Sequence, residues 1–245
     1  MQQQPLSVEI YCRDLGPVTG EQLAALMPSP FSVRVEERPP DLQALAASLA
    51  QSWQLPEREQ ILADCRYVIT VRESLAVPGL APTERLQLLQ QSVAATLEAV
   101  HGEALHCVDA QQIIPPGLFI GETEARGLPC LQAGAVNVRL FRVDDDQRGD
   151  GRLVMDTLGL GPFGLPDLQI DYRWLDPGQV AATLFAASAY LFEQGDVVAA
   201  GHSIQGSLPG SAWTVRRERS IVEPHREVID LDPGAPYSSR QDGQP

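Results

Sequence analysis

The chain has 245 residues, with 32 acidic residues against 18 arginines and no lysine, for a net charge of -14. That charge repels nucleic-acid backbones and anionic membranes, and without lysine there is no Schiff-base, P-loop or kinase-type phosphate lysine. Hydrophobic residues make up 44% of the chain, enough for one large domain or two of about 100–120 residues each.

The opening Met1-Gln2-Gln3-Gln4-Pro5 has no basic or apolar stretch, so no secretory signal is expected. No apolar run reaches the ~18 residues of a membrane span, and a cytoplasmic protein is expected. Cys12, Cys65, Cys107 and Cys130 form no C-x-x-C pair, and three of them sit in strand-like runs. They read as reduced core residues.

Residues 6–12 alternate and read as a strand, 20–27 as a short helix stopped by Pro28 and Pro30, and 31–37 as a second strand. Asp41 is placed to cap a helix with the stripe Leu42, Leu45, Leu49 and Trp53. A strand over 65–72 follows. The best helix of the first half spans 83–101, with Leu86, Leu89, Val93, Leu97 and Val100 on one face and Gly102 as its stop. Residues 104–109 return as a strand, giving β-α-β-(α)-β-α-β. Residues 111–133, with Pro115-Pro116-Gly117, Gly121, Gly127 and Pro129, read as a packed connector.

The second half opens with a strand over 135–143, the acidic turn Asp144-Asp145-Asp146 and a strand over 152–156. A glycine-rich loop spans 157–166 and a strand spans 167–174. Asp176-Pro177-Gly178-Gln179 carries a helix start, with Asp176 as cap, Pro177 in the first turn and Gln179 completing a capping box. This helix runs to about Gln194. Strands near 197–204, 212–218 and 226–231 complete the fold, and the Pro-, Gly- and Ser-rich stretch 232–245 reads as a disordered tail. The expected class is α/β (α+β): ferredoxin-like or related mixed sheets with helices packed on them, in two similar lobes. The expected lobes are 1–110 and 134–231.

Four stretches invite chemistry. Gly201-His202-Ser203-Ile204-Gln205-Gly206 misses the G-x-S-x-G hydrolase elbow by one residue and has no helix after it. A triad of Ser203, His225 and Asp230 would run in the wrong chain order. The Asp144 turn places Arg148 and Met155 where a calcium loop needs oxygen ligands. Gly159-Leu160-Gly161-Pro162-Phe163-Gly164 matches G-x-G-x-x-G, but it leads into a strand, where a dinucleotide site needs a helix N-terminus. The four histidines form no metal-ligand pair. No metal and no cofactor is expected.

Met155-Asp156-Thr157-Leu158-Gly159-Leu160, Phe163-Gly164-Leu165-Pro166-Asp167-Leu168 and Gly201-His202-Ser203-Ile204 together resemble a bacterial domain-of-unknown-function family, numbered in words forty-two sixty-one. The resemblance covers about 150–232. It implies a bacterial cytosolic protein and assigns no chemistry. By association, the resemblance also implies the neighbourhood of toxin–immunity and secretion loci, which such stand-alone domains often accompany.

The expected function is therefore a non-enzymatic protein-binding module, of the immunity or secretion-accessory type, whose partner is a basic protein such as a toxin. Nucleic acid and membrane are not expected partners. The alternative is a small-ligand binder or hydrolase-like enzyme. Its candidate residues are Asp156, Thr157, Gly159, Gly164, Asp167, His202 and Ser203. A strand–helix–strand crossover would bring the two segments to one sheet end, with His202 donating to Asp156 or Asp167.

Overall fold

Val8, Ile10 and Cys12 alternate along β1 (Ser7–Cys12) and are buried, and β1 is the central strand of the first sheet. The computed structural model describes residues 4–74, 79–143 and 151–239. The chain divides into two units, Met1–Asn137 and Val138–Pro245.

In the first unit β1 is followed by α1 (Gly20–Ala25), β2 (Phe31–Glu37), α2 (Ala46–Ala50), α3 (Arg58–Ala63), β3 (Tyr67–Glu73), α4 (Pro82–Ala99), β4 (Ala104–Cys107), β5 (Gln112–Ile114) and α5 (Pro116–Arg126). The sheet runs β2-β3-β1-β4-β5 with every neighbouring pair antiparallel. Its first four positions are the βαββαβ arrangement of ferredoxin-like folds, extended at one edge by β5. The α4 stripe packs as expected: Leu86, Leu89, Val93 and Val100 are buried, and the helix covers β3 and β2.

Two stretches differ in detail from the expectation. Asp41 Oδ1 accepts from the amides of Gln43 (3.0 Å) and Ala44 (3.1 Å), as the expected cap does, but the turn it opens leads into a helix of only five residues, α2. Leu45 and Leu49 stay buried, but Trp53 is 70% exposed. The stretch 111–133 is more than a connector, because Pro116 starts α5 at a position where its missing amide costs nothing.

The second unit contains β6 (Asn137–Arg142), β7 (Leu153–Leu158), a 3-10 turn at Gly161–Phe163, β8 (Asp167–Tyr172), α6 (Pro177–Gln194), β9 (Ser203–Gln205), β10 (Ala212–Arg219) and β11 (Glu227–Asp232). The sheet order is β6-β7-β8-β11-β10-β9. β8 and β11 run parallel; β7–β8, β10–β11 and β9–β10 are antiparallel. Asp176 caps α6 by accepting from the Gln179 amide at 2.9 Å, and Val180, Leu184 and Leu191 bury against β7 and β8. The fold class is thus α+β, with helices packed around two sheets.

Residues 233–239 are ordered, against the expected tail. A turn at Gly234 (φ 71°) returns the chain to β8, where Ser238 bridges Tyr172 and the Arg173 amide donates to the Tyr237 carbonyl at 2.8 Å. The acidic turn Asp144-Asp145-Asp146 and residues 240–245 lie outside the described residues. Among the described residues no helix is long and apolar enough to cross a membrane.

Candidate functional site

Strict alternation along β8 puts Asp167, Gln169 and Asp171 on one face and Leu168, Ile170 and Tyr172 on the other, and all six are buried. A buried carboxylate must be paired, and the only side-chain cations available besides histidine are guanidinium groups. Asp167 Oδ2 accepts from Arg226 Nε at 2.8 Å, and its Oδ1 from the Leu160 amide at 3.1 Å and the Thr157 hydroxyl at 3.3 Å. Asp156 stands opposite Gln169 in the β7–β8 register. It accepts from Arg139 Nε (2.9 Å) and Nη2 (2.6 Å), and from Arg226 Nη2 at 2.9 Å. Asp171 takes a bidentate pair from Arg152 at 2.9 and 2.7 Å. Gln169 Nε2 donates to Asp230 Oδ1 at 2.9 Å and its Oε1 accepts from the Ile221 amide at 2.7 Å. Burial pushes the Asp167 carboxyl up, against the opposing pull of Arg226.

The loop joining β7 to β8 is pinned by the same groups. Thr157 Oγ1 accepts from the Leu168 amide at 2.8 Å, and the Thr157 carbonyl accepts from Arg226 Nη2 at 2.7 Å. Gly159 (φ 129°) and Gly164 (φ 77°) take backbone conformations that side chains disfavour, and Leu160, Phe163 and Leu165 bury beneath the loop. Asp156, Thr157, Gly159, Gly164 and Asp167 therefore form one cluster.

His202 and Ser203 do not join it. The parallel neighbour of β8 is β11, because β9 and β10 are inserted before the chain returns to the sheet. β9 lies three strand positions from β8, roughly 14 Å away at the usual strand spacing. His202 is exposed, and its Nδ1 accepts from the Ala199 amide at 3.2 Å. The bond expected from His202 comes instead from Arg226. His225 also stands apart from Ser203, with Nε2 3.0 Å from Glu223 Oε1. Arg139, Arg152 and Arg226 were invisible to motif reading. Arg226 meets Asp156 across 70 positions, and the only signal was the polar face of β8.

His202 and Ser203 instead border a groove of about 520 Å³. One wall is α6, through Thr183, Ala186, Ala187 and Tyr190; the floor is Leu168, Ile229 and Leu231. The other wall is four consecutive residues, His202, Ser203, Ile204 and Gln205. Successive strand side chains point to opposite faces, so a run of four lining one groove brings main chain as well as side chains of this segment into its wall.

The first unit holds a second polar cluster. Glu9 and His106 are register partners on β1 and β4. His106 Nδ1 is 3.2 Å from Glu9 Oε2, and its Nε2 is 3.0 Å from Ser48 Oγ. The Tyr11 hydroxyl donates to Glu9 Oε2 at 2.6 Å. The His106 bond holds the Glu9 carboxyl below the ordinary range against its partial burial. The order hydroxyl, imidazole, carboxylate is that of a nucleophile relay. Ser48 is 4% exposed and His106 7%, which leaves no room for a substrate at the hydroxyl. Among the described residues no group of three or more His, Cys, Asp or Glu is placed to hold a metal ion.

Searches of the curated proteins and of the solved structures gave no significant match. Residues 156–232, which contain the Asp156–Asp167 cluster and every residue lining the groove, match the model of the family described as a domain of unknown function (DUF4261).

Proposed function

We propose that the chain is a non-enzymatic protein-binding module of a bacterial cytosol, of the immunity or secretion-accessory type, and that it docks a basic partner in the groove between α6 and β9. The observation that carries this reading is a contrast within one segment. The carboxylates of the 156–167 loop have their oxygens taken by arginines and amides, while the groove beside them is open, floored by apolar side chains and lined by an exposed strand. Volumes of this size hold a ligand side chain or a short segment of chain. The net charge of -14 favours a partner of opposite sign.

The test is affinity capture from the native host with the wild-type chain and with Ala187→Arg, which fills and charges the groove. The expected result is one basic protein retained by the wild type at low salt and lost by the variant. Retention of the same proteins by both would remove the groove from the account.

A further inference from the structure

We propose that the groove takes its partner as an added β-strand: an extended segment of alternating apolar and basic residues pairs with the free edge of β9. This rests on the docking reading above and specifies its occupant.

The main chain of β9 sets the mode. Among the described residues β9 pairs with β10 alone. The His202 carbonyl accepts from the Val215 amide at 2.8 Å, and the Gly206 amide donates to the Ser211 carbonyl at 2.9 Å. Residues 202 and 206 thus turn these groups toward the β10 side. Antiparallel alternation then turns the N–H and C=O of Ser203 and Gln205 the other way. Both residues are exposed, and they stand in the wall of the groove. An unpaired edge of this kind templates another strand, and strand addition beside a helix is an established way of holding extended peptides. Alternate side chains of the added strand would stand beside Ile204, the β9 residue between Ser203 and Gln205 that also lines the groove.

Charge selects what stands beside the apolar residues. Val197, just past the carboxyl end of α6, lines one end of the groove and is 51% exposed. The last turn of α6 has no basic residue and carries the exposed Glu193. The carboxyl end of a helix is the negative end of its dipole, and Asp196 and the Val198 carbonyl just past it already hold the Arg217 guanidinium, so this end of the groove suits an arginine or lysine of the added strand. A second copy of this chain offers only arginine, on a surface of the same net sign, and is the weaker occupant.

The experiment is an amide-resolved NMR titration with acetylated, amidated decapeptides: alternating Val-Arg, alternating Val-Glu, and Val-Arg N-methylated at every second residue. The Val-Arg peptide is expected to shift and protect the Ser203 and Gln205 amides and to shift α6 over 183–190. Affinity should fall at least tenfold for the N-methylated peptide, for Val-Glu, and for Ser203→Pro, which deletes the outward amide while leaving the β10 side intact. N-methylation tests the pairing without altering the protein, so the outcome does not depend on the variant folding. Equal binding of all three peptides, shifts confined to other elements, no binding of Val-Arg, or broadening with protein concentration alone would each overturn strand addition. A capture that still responds to Ala187→Arg would then leave the docking reading standing without this mode. Loss of both would remove the two together.

Discussion

Arg139 and Asp156 form a bidentate pair in the interior of the second unit, with Nε to Oδ1 at 2.9 Å and Nη2 to Oδ2 at 2.6 Å, and with side chains 4% and 0% exposed. A planar guanidinium fits this site and an ammonium does not. Cutting the pair on one side leaves a buried charge short of its partner. Arg139→Met is expected to cost about 3–5 kcal/mol in urea unfolding. The double variant Arg139→Met, Asp156→Leu should recover much of that, because Arg226 keeps Asp167 as its partner. Additive losses in the double variant would contradict this account of the pair.

Asp109 should make the first unit less stable as pH rises. Burial pushes its carboxyl up to about 6, against the Ser7 amide and nearby cations. A folded value above the unfolded one means that the favourable contribution is complete below the ordinary carboxylate range and is lost as pH climbs through about 6. Asp109→Asn should therefore gain about 1–3 kcal/mol over the wild type at pH 8 and nothing at pH 4. Urea midpoints at the two pH values decide it; an equal difference at both would contradict the assignment.

Ser48 should not behave as a nucleophile. A fluorophosphonate serine probe is expected to leave the folded chain unlabelled, because the hydroxyl bonded to His106 is buried. Ser48→Ala should cost about 1–3 kcal/mol of stability through the partner it leaves unsatisfied. Labelling at Ser48 would reopen an enzymatic reading.

Much of the fold was legible because it is written in short periods. The 3.6-residue stripe of α4 appears directly in the sequence and buries as it predicts, whereas the alternation of β8 predicts one dry face and the structure buries both. The start of α5 at Pro116 is not legible in the sequence, because a proline can end one element or open the next. Trp53 is exposed because α2 ends at Ala50, short of the position that would have buried it. The loop cluster of Asp156, Thr157 and Asp167 was visible as a motif, but its partners were not. Arg139 and Arg226 reach it through sheet order, which local patterns do not encode. The same topology separated His202 from the loop and set it on the groove.

Association with a captured partner should be steered by charge. Its on-rate is expected to fall markedly as ionic strength rises and screening shortens to about 8–10 Å at physiological salt. The dissociation rate should change far less. An on-rate indifferent to salt would separate the -14 charge from recognition.

The most direct test of the central claim is hydrogen exchange of the chain with and without its captured partner, read segment by segment. Docking in the groove predicts new protection over 202–205 and along the exposed face of α6 from Thr183 to Tyr190, with the buried β7–β8 loop unchanged. Protection confined to the 156–167 loop, or to the first unit, would contradict it.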